Sequence, residues 1–184
     1  MKRVFRIIGV LAAVATVLLA AGRPLRRERA VAGAAGARGV AAGNCTPGRA
    51  WGISRPGLAA EVVSLVNAHR RALGLESLRI VRTLSRAARW KALHMAHYLY
   101  MSHDDPAPPV ARSAAGRIAA CGFRGARWGE NIAYGYPTPQ AVVQGWLSSP
   151  GHRANIENPG YRMTGVGVTS RSVRLVFWTQ DFGG

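Results

Sequence analysis

The feature that most constrains the fold is the order in which two kinds of periodicity occur along the chain. Apolar residues recur at helical spacing from Leu58 to Leu73 and from Ser85 to Tyr100. Met163 to Thr169 and Val173 to Gln180 are predicted strands on either side of a turn at Ser170 to Ser172. Helices followed by paired strands favour an α+β fold in which helices pack on a mainly antiparallel sheet.

Shorter elements are predicted between these helices and strands. Residues 110–120 form a short predicted helix, and residues 127–134 a predicted strand. Thr138 followed by Pro139 is typical of a helix N-cap and first helical position. We expect that helix to end at the Ser149-Pro150-Gly151 segment, because proline disfavours helical conformation in the residue before it.

The N-terminal fifty residues differ in composition from the rest of the chain. Residues 1–22 combine a basic start with an apolar run from Ile7 to Ala21, which is typical of a signal peptide, with an uncleaved N-terminal anchor as the alternative. Residues 23–50 are rich in Ala, Gly and Arg and are predicted to form a flexible linker. The folded domain is therefore expected at 51–184, in a secreted or extracytoplasmic protein. Membrane attachment is expected only through an uncleaved N-terminal segment.

The chain contains two cysteines, Cys45 and Cys121. An even number of cysteines in an exported protein permits one disulfide. Neither cysteine lies in a recognisable motif, so two free thiols remain the alternative.

The formal net charge is +17, from 25 basic and 8 acidic residues. Such a surface favours anionic partners, here cell-envelope polymers or lipid headgroups, whereas the simpler interpretation is a solvated basic surface. No recognition motif for nucleic acid accompanies the charge, so nucleic acid is not an expected partner.

Three polar segments lie where predicted elements end. They are residues 101–103, with His103, residues 129–133, with Glu130, and residues 148–156, with His152. Two histidines and a glutamate that converge in a cleft are suited to zinc or a similar ion with an open position for water, or to proton transfer. The structural alternative is that these side chains satisfy buried backbone groups by hydrogen bonding.

The order of several short segments along the chain is a more specific signal than the spacing of these single residues. Val-Asn-x-His-Arg (66–70), Ser-His (102–103), Gly-Glu-Asn-Ile-Ala (129–133), Trp-Leu-x-Ser-Pro-Gly-His-Arg-x-Asn-Ile (146–156), Gly-Val-Gly-Val (165–168) and Trp-Thr-Gln-Asp-Phe-Gly (178–183) resemble the bacterial CAP domain. CAP stands for cysteine-rich secretory proteins, antigen 5 and pathogenesis-related proteins. The resemblance covers about residues 58–183.

The resemblance implies an α-β-α sandwich with a cleft lined by two histidines and one or two acids. By position, His103 and His152 match the cleft histidines and Glu130 the cleft carboxylate, so these three are the predicted ligands of a divalent metal such as zinc. Asn131 and Asn155 lie in the same segments and are predicted to support the cleft. Animal and plant members carry a second cleft glutamate, but here no glutamate lies between His103 and Glu130.

Two functions are consistent with these residues. The first is an extracytoplasmic binding or interaction module, since one fold hosts many roles. The second is a metal-dependent, peptidase-like hydrolase in which Glu130 polarises a water. No nucleophile–base pair is visible in the sequence, so no catalytic residue is assigned apart from Glu130 in that second case.

Other conspicuous residues are interpreted as structural. Trp146 and Trp178 occur in periodic apolar segments and are predicted to lie in the core. Gly165 and Gly167 fall within a strand and are predicted to allow close backbone approach. The histidines that match no motif are predicted to be helix-surface or hydrogen-bonded residues: His69, His94 and His97.

Overall fold

The computed structural model of the chain describes residues 45–106, 109–172 and 175–184. The predicted signal peptide or anchor and most of the predicted linker lie outside these residues. The helices are α1 (Pro56–Ala72), α2 (Arg82–Tyr98), α3 (Ala114–Ala120), α4 (Pro139–Leu147) and α5 (Pro150–Glu157). The strands are β1 (Ile53–Ser54), β2 (Arg79–Ile80), β3 (Trp128–Tyr134), β4 (Met163–Ser172) and β5 (Leu175–Gly183). No helix in the described ranges is both long and apolar enough to span a membrane.

One sheet contains all five strands, in the order β1-β4-β5-β3, with β2 also paired to β4. Every pair is antiparallel except β2–β4. The strand β3 therefore forms one edge of the sheet, and β1 and β2 share the outer edge of β4. The mainly antiparallel α+β prediction is confirmed.

A separate core lies on each face of the sheet. On one face, α1, α4 and α5 pack against Val166, Val168 and Trp178. On the other face, Leu84, Trp90 and Leu93 of α2 form a second core with residues near α3. The layers are therefore helix, sheet and helix. Trp146 and Trp178 are buried as predicted.

The contact between α2 and β4 depends on two glycines. A Cβ atom on Gly165 would lie 2.1 Å from the Ser85 nitrogen, and one on Gly167 would lie 2.2 Å from the Ala88 oxygen. Side chains cannot occupy these positions because backbone atoms fill them. The prediction of close backbone approach is confirmed.

Cys45 and Cys121 form a disulfide, as the even cysteine count permits, and both are buried beside the α2 core. The bridge closes a sequence separation of 76 residues. In the chain-entropy model a loop of this size stabilises the fold by roughly 4 kcal/mol. The bridge fixes the described end of the N-terminal segment to the domain.

The structure differs from the sequence predictions mainly around prolines and short strands. As predicted, α4 ends just before the Ser149-Pro150-Gly151 segment, but Pro150 also starts a further helix, α5. At a helix start the missing N–H of proline costs nothing, because that group has no intrahelical partner. The predicted turn at residues 170–172 is instead the end of β4. The two-residue strands β1 and β2 have too few residues to show an alternating pattern.

Candidate functional site

The predicted site residues lie on or beside three elements near the β3 edge of the sheet, and a direct contact joins two of them, His103 and Glu130. His103 follows α2, Glu130 lies in β3 and His152 lies in α5. The His103 Nδ1 atom is 2.8 Å from Glu130 Oε1. The His103 side chain is 45% exposed whereas that of Glu130 is 1% exposed, so the histidine links a buried carboxylate to solvent. We call His103, Glu130 and His152 the histidine cluster.

The contact with Glu130 determines which nitrogen of His103 carries the proton. A carboxylate can only accept a hydrogen bond, so His103 Nδ1 must be the donor. In the neutral ring, Nε2 is then left with its lone pair. A histidine held in this way by a carboxylate has the orientation and tautomer that metal-bound histidines show.

His152 is held at the cluster through its backbone. The Asn131 side-chain amide donates to the His152 carbonyl oxygen at 3.0 Å. Burial, together with the charge on His103, lowers the pKa of His152 below its usual value. The ring of His152 is therefore neutral over a wider pH range than an ordinary histidine, with a nitrogen lone pair available.

Side chains from the following segment close the free edge of β3. Asn155 donates to the Glu130 carbonyl oxygen at 3.2 Å, and Tyr161 donates to the Trp128 carbonyl oxygen at 2.7 Å. Asn155 also donates to Asn131 Oδ1 at 2.9 Å. These bonds satisfy edge groups that would otherwise be open to another strand. The two asparagines predicted to support the cleft therefore link α5 to β3.

A buried network of charges lies beneath Glu130. Arg117, from α3, donates to Glu130 Oε2 and, at 2.5 Å, to Asp105 Oδ1. The Arg117 and Asp105 side chains are fully buried. Both oxygens of Glu130 are thus occupied, one by His103 and one by Arg117.

Lys91 positions the backbone at His103. Lys91 belongs to α2, and its side chain is fully buried. Its ammonium group donates to the His103 carbonyl oxygen at 3.0 Å and to Asp105 Oδ1 at 2.9 Å. Arg117 donates to the same His103 carbonyl at 3.1 Å. The histidine is therefore fixed at its side chain by Glu130 and at its backbone by two cations.

The network determines the ionisation of its members. Burial opposes the charged form of Glu130, but Arg117 and the hydrogen bond from His103 outweigh it and lower the pKa of Glu130. Burial also lowers the pKa of Lys91, with Arg117 adding to the effect. Glu130 is therefore an ionised carboxylate at neutral pH, although it is buried.

A second acid faces Glu130 from the neighbouring strand. Asp181 of β5 is directly opposite Glu130 in the β3–β5 register and is fully buried. Burial and the negative charge of Glu130 raise the pKa of Asp181 well above its usual value. The pair therefore holds one negative charge, on Glu130, and one neutral carboxyl group, on Asp181.

Sequence reasoning singled out His103, Glu130 and His152 as candidates but missed the buried network. The missed residues are Lys91, Asp105, Arg117 and Asp181. Lys91 could have been found, because it falls three residues after Ala88 and four before Met95 on the apolar stripe of α2. Of the histidines predicted to be structural, His94 is buried against Trp90 and bonded to Tyr100, and His69 is bonded to Glu157.

Comparisons with known proteins find relatives of this chain in sequence and in fold. The sequence profile of the cysteine-rich secretory protein family, CAP, matches residues 63–182. An uncharacterised Bacillus subtilis (strain 168) protein, YkwD, is 42% identical over 125 residues, which cover 67% of this chain and 46% of YkwD.

Solved structures share the fold. An extracellular SCP-domain protein of Bacillus anthracis str. Ames has a TM-score of 0.63 and 29% identity, covering 70% of this chain and 40% of that one. An outer surface protein of Borrelia burgdorferi has a TM-score of 0.64 and 21% identity, covering 72% and 97% respectively. This chain spans less than half the length of YkwD and of the B. anthracis protein.

Proposed function

Because the chain belongs to the cysteine-rich secretory protein (CAP) family, we propose that it is an extracytoplasmic binding module in which His103 and His152 hold a divalent metal ion such as zinc. The apolar run from Ile7 to Ala21 behind a basic start supports export. The extracellular description of the B. anthracis protein, which shares 29% identity, supports the same location.

One observation carries the proposal: the buried carboxylate of Glu130 binds His103 Nδ1 at 2.8 Å. This bond leaves Nε2, on a ring that is partly exposed, as the ligand atom. The carboxylate fixes the orientation of the imidazole, as outer partners of zinc histidines do. Glu130 is therefore assigned to the outer shell of the site rather than to the metal itself.

The residues fit a metal that keeps open positions. Imidazole nitrogens are suitable ligands for zinc, and the lowered pKa of His152 reduces competition from protons. Within the described ranges no group of three His, Cys, Asp or Glu side chains is arranged to hold a metal. Two protein ligands leave the remaining positions to water or to a donor atom of the partner. When bound, zinc would supply a Lewis acid that attracts such a donor.

The hydrolase alternative is less well supported by the geometry. A general base needs a free carboxylate oxygen within hydrogen-bond reach of the attacking water. Both oxygens of Glu130 are engaged by His103 and Arg117, and the side chain is 1% exposed. These contacts favour a positioning role for Glu130 over a role in polarising water.

Isothermal titration with zinc chloride tests the proposal. We expect saturable binding by the wild-type chain and none by the His103→Ala/His152→Ala double variant. The matched control is His97→Ala, which removes an imidazole from α2 outside the cluster and should bind like wild type. Equal zinc affinity in the wild type and the double variant would overturn the metal site.

A further inference from the structure

A basic surface lies at the outer edge of β4, which is the opposite edge of the sheet from the histidine cluster. We call it the arginine surface, and it comprises Ile53, Arg55, Arg79, Ile80, Arg82, Arg86 and Arg89. Among the described residues, none of its five arginines forms an ion pair. We propose that this surface docks the protein onto a bilayer containing anionic phospholipids. The proposal is independent of metal binding.

The arginines form one continuous surface rather than scattered charges. Arg82, Arg86 and Arg89 are spaced four and three residues apart, so they lie on one side of α2. Arg89 Nε donates to Ser54 Oγ at 2.8 Å, which joins α2 to β1. Arg55, the next residue after β1, donates through Nε to Ser170 Oγ at 2.8 Å. Both bonds use Nε and leave the outer guanidinium nitrogens available to phosphate.

Apolar side chains protrude among these charges. Ile53 is 67% exposed and Ile80 is 57% exposed. They lie in β1 and β2, which both pair with the outer edge of β4, opposite Ser170 and Thr164 respectively. Exposed aliphatic side chains flanked by arginines are suited to the boundary between headgroups and acyl chains.

A cavity of about 280 Å³ connects the parts of this surface. Its lining includes Ile80 and Val63 and also Arg55 and Arg89. Residues from β1, α1, β2, α2 and β4 thus meet around one apolar depression with guanidinium groups beside it.

Several acids of the folded domain are buried, so they do not offset the positive charge of this surface. Asp105, Glu130 and Asp181 are buried within the network beneath the histidine cluster. Their charges are matched there or suppressed by protonation, so they do little to offset the exposed arginines. A soluble polyanion would use the arginines alone, whereas a bilayer also buries the two isoleucines. The pairing of arginines with exposed isoleucines therefore favours the bilayer.

Vesicle co-sedimentation tests the proposal with three variants of the same full chain. One removes charge from the surface (Arg82→Gln/Arg86→Gln/Arg89→Gln), and one removes its apolar contacts (Ile53→Ser/Ile80→Ser). The control removes the same charge elsewhere (Arg71→Gln/Arg124→Gln/Arg127→Gln). The vesicles contain phosphatidylcholine either alone or mixed with phosphatidylglycerol. All variants share one N-terminal segment, so differences between them report on the folded domain.

We expect binding to the phosphatidylglycerol vesicles to fall roughly 100-fold when Arg82, Arg86 and Arg89 are replaced, since each arginine near an anionic surface contributes about 1 kcal/mol. The isoleucine variant should bind roughly tenfold more weakly, and the control triple variant should stay close to wild type. Equal binding by wild type and the α2 arginine variant would overturn the proposal. Loss in the arginine variant but not the isoleucine variant, with equal competition by soluble polyphosphate, would also overturn it and indicate a polyanion partner.

Discussion

Replacing Arg117 by methionine tests whether the buried network holds the site together. The guanidinium group is fully buried and bonded to Asp105, Glu130 and the His103 carbonyl. Methionine retains much of the apolar volume while removing the charge and every donor. The substitution therefore isolates the electrostatic role of Arg117.

The substitution should remove stabilising contacts mainly from Glu130. After the substitution, Asp105 still has Lys91 at 2.9 Å and Arg112 at 3.0 Å, and the His103 carbonyl still has Lys91 at 3.0 Å. Glu130 keeps the hydrogen bond from His103 and the charge of Lys91, but it loses the guanidinium cation that contacts it directly. Leaving one member of a buried ion pair without its partner costs about 3 to 5 kcal/mol of unfolding free energy. We expect a loss of this size at pH 7.

The pH dependence provides a second test of the same variant. In the wild type, the lowered pKa of Glu130 stabilises the fold above the ordinary value of 4.5, and that stability is lost as pH falls through the lower folded-state pKa. Without Arg117, burial and Asp181 are expected to raise the pKa of Glu130. Protonation would then remove the unpaired charge, so the difference from wild type should shrink as pH falls toward 4.

Guanidinium chloride unfolding followed by tryptophan fluorescence measures both quantities. Arg124→Met is the control, because Arg124 is exposed and donates only to backbone carbonyls. The Arg117→Met/Glu130→Gln double variant should be more stable than Arg117→Met alone, since the unpaired charge is gone. A loss below about 1 kcal/mol at pH 7, unchanged at pH 4, would refute the role assigned to Arg117.

Three further outcomes follow from single features of the fold. The denatured, unreduced protein should contain no free thiol. The Cys45→Ser/Cys121→Ser variant should lose roughly 2 to 5 kcal/mol of unfolding free energy. A denaturant unfolding curve equal to that of the wild type would count against the bridge. Gly167→Ala should cost roughly 1 to 3 kcal/mol because the new Cβ meets the Ala88 oxygen at 2.2 Å; a thermal midpoint equal to wild type would contradict this. Zinc affinity, measured by titration between pH 5 and 8, should fall as pH decreases but persist below the ordinary histidine pKa of 6.5, since the pKa of His152 is lowered; affinity independent of pH would contradict histidine ligation.

The sequence was sufficient to predict the main layers of the fold, and it singled out His103, Glu130 and His152 as candidate site residues, whose role stays a prediction. Periodic apolar residues identify α1, α2 and β5 because burial imposes a regular spacing on them. Glu130 and His152 stand out because polar residues interrupt the apolar pattern, although they lie within β3 and α5 and not at the predicted ends of elements. The α5 helix was missed because proline is common both at the start of a helix and just after the end of one, so Pro150 alone does not distinguish the two.

Apart from Lys91, the buried network lies beyond what local sequence patterns can predict. Lysine and arginine are usually exposed, and only Lys91 has a position on an apolar stripe that signals burial. Arg117 is buried because α3 packs between Asp105 and β3, which are separated along the chain by more than twenty residues. Asp181 faces Glu130 only through the register of two strands that are distant in sequence.

The tautomer of His103 tests the central claim most directly. Long-range ¹H–¹⁵N correlation spectra of the wild type at neutral to mildly alkaline pH distinguish a protonated Nδ1 from a protonated Nε2. The contact with Glu130 predicts that Nδ1 carries the proton and that added zinc shifts the Nε2 resonance. A His103 ring protonated at Nε2, or an Nε2 resonance that zinc leaves unchanged, would contradict the account.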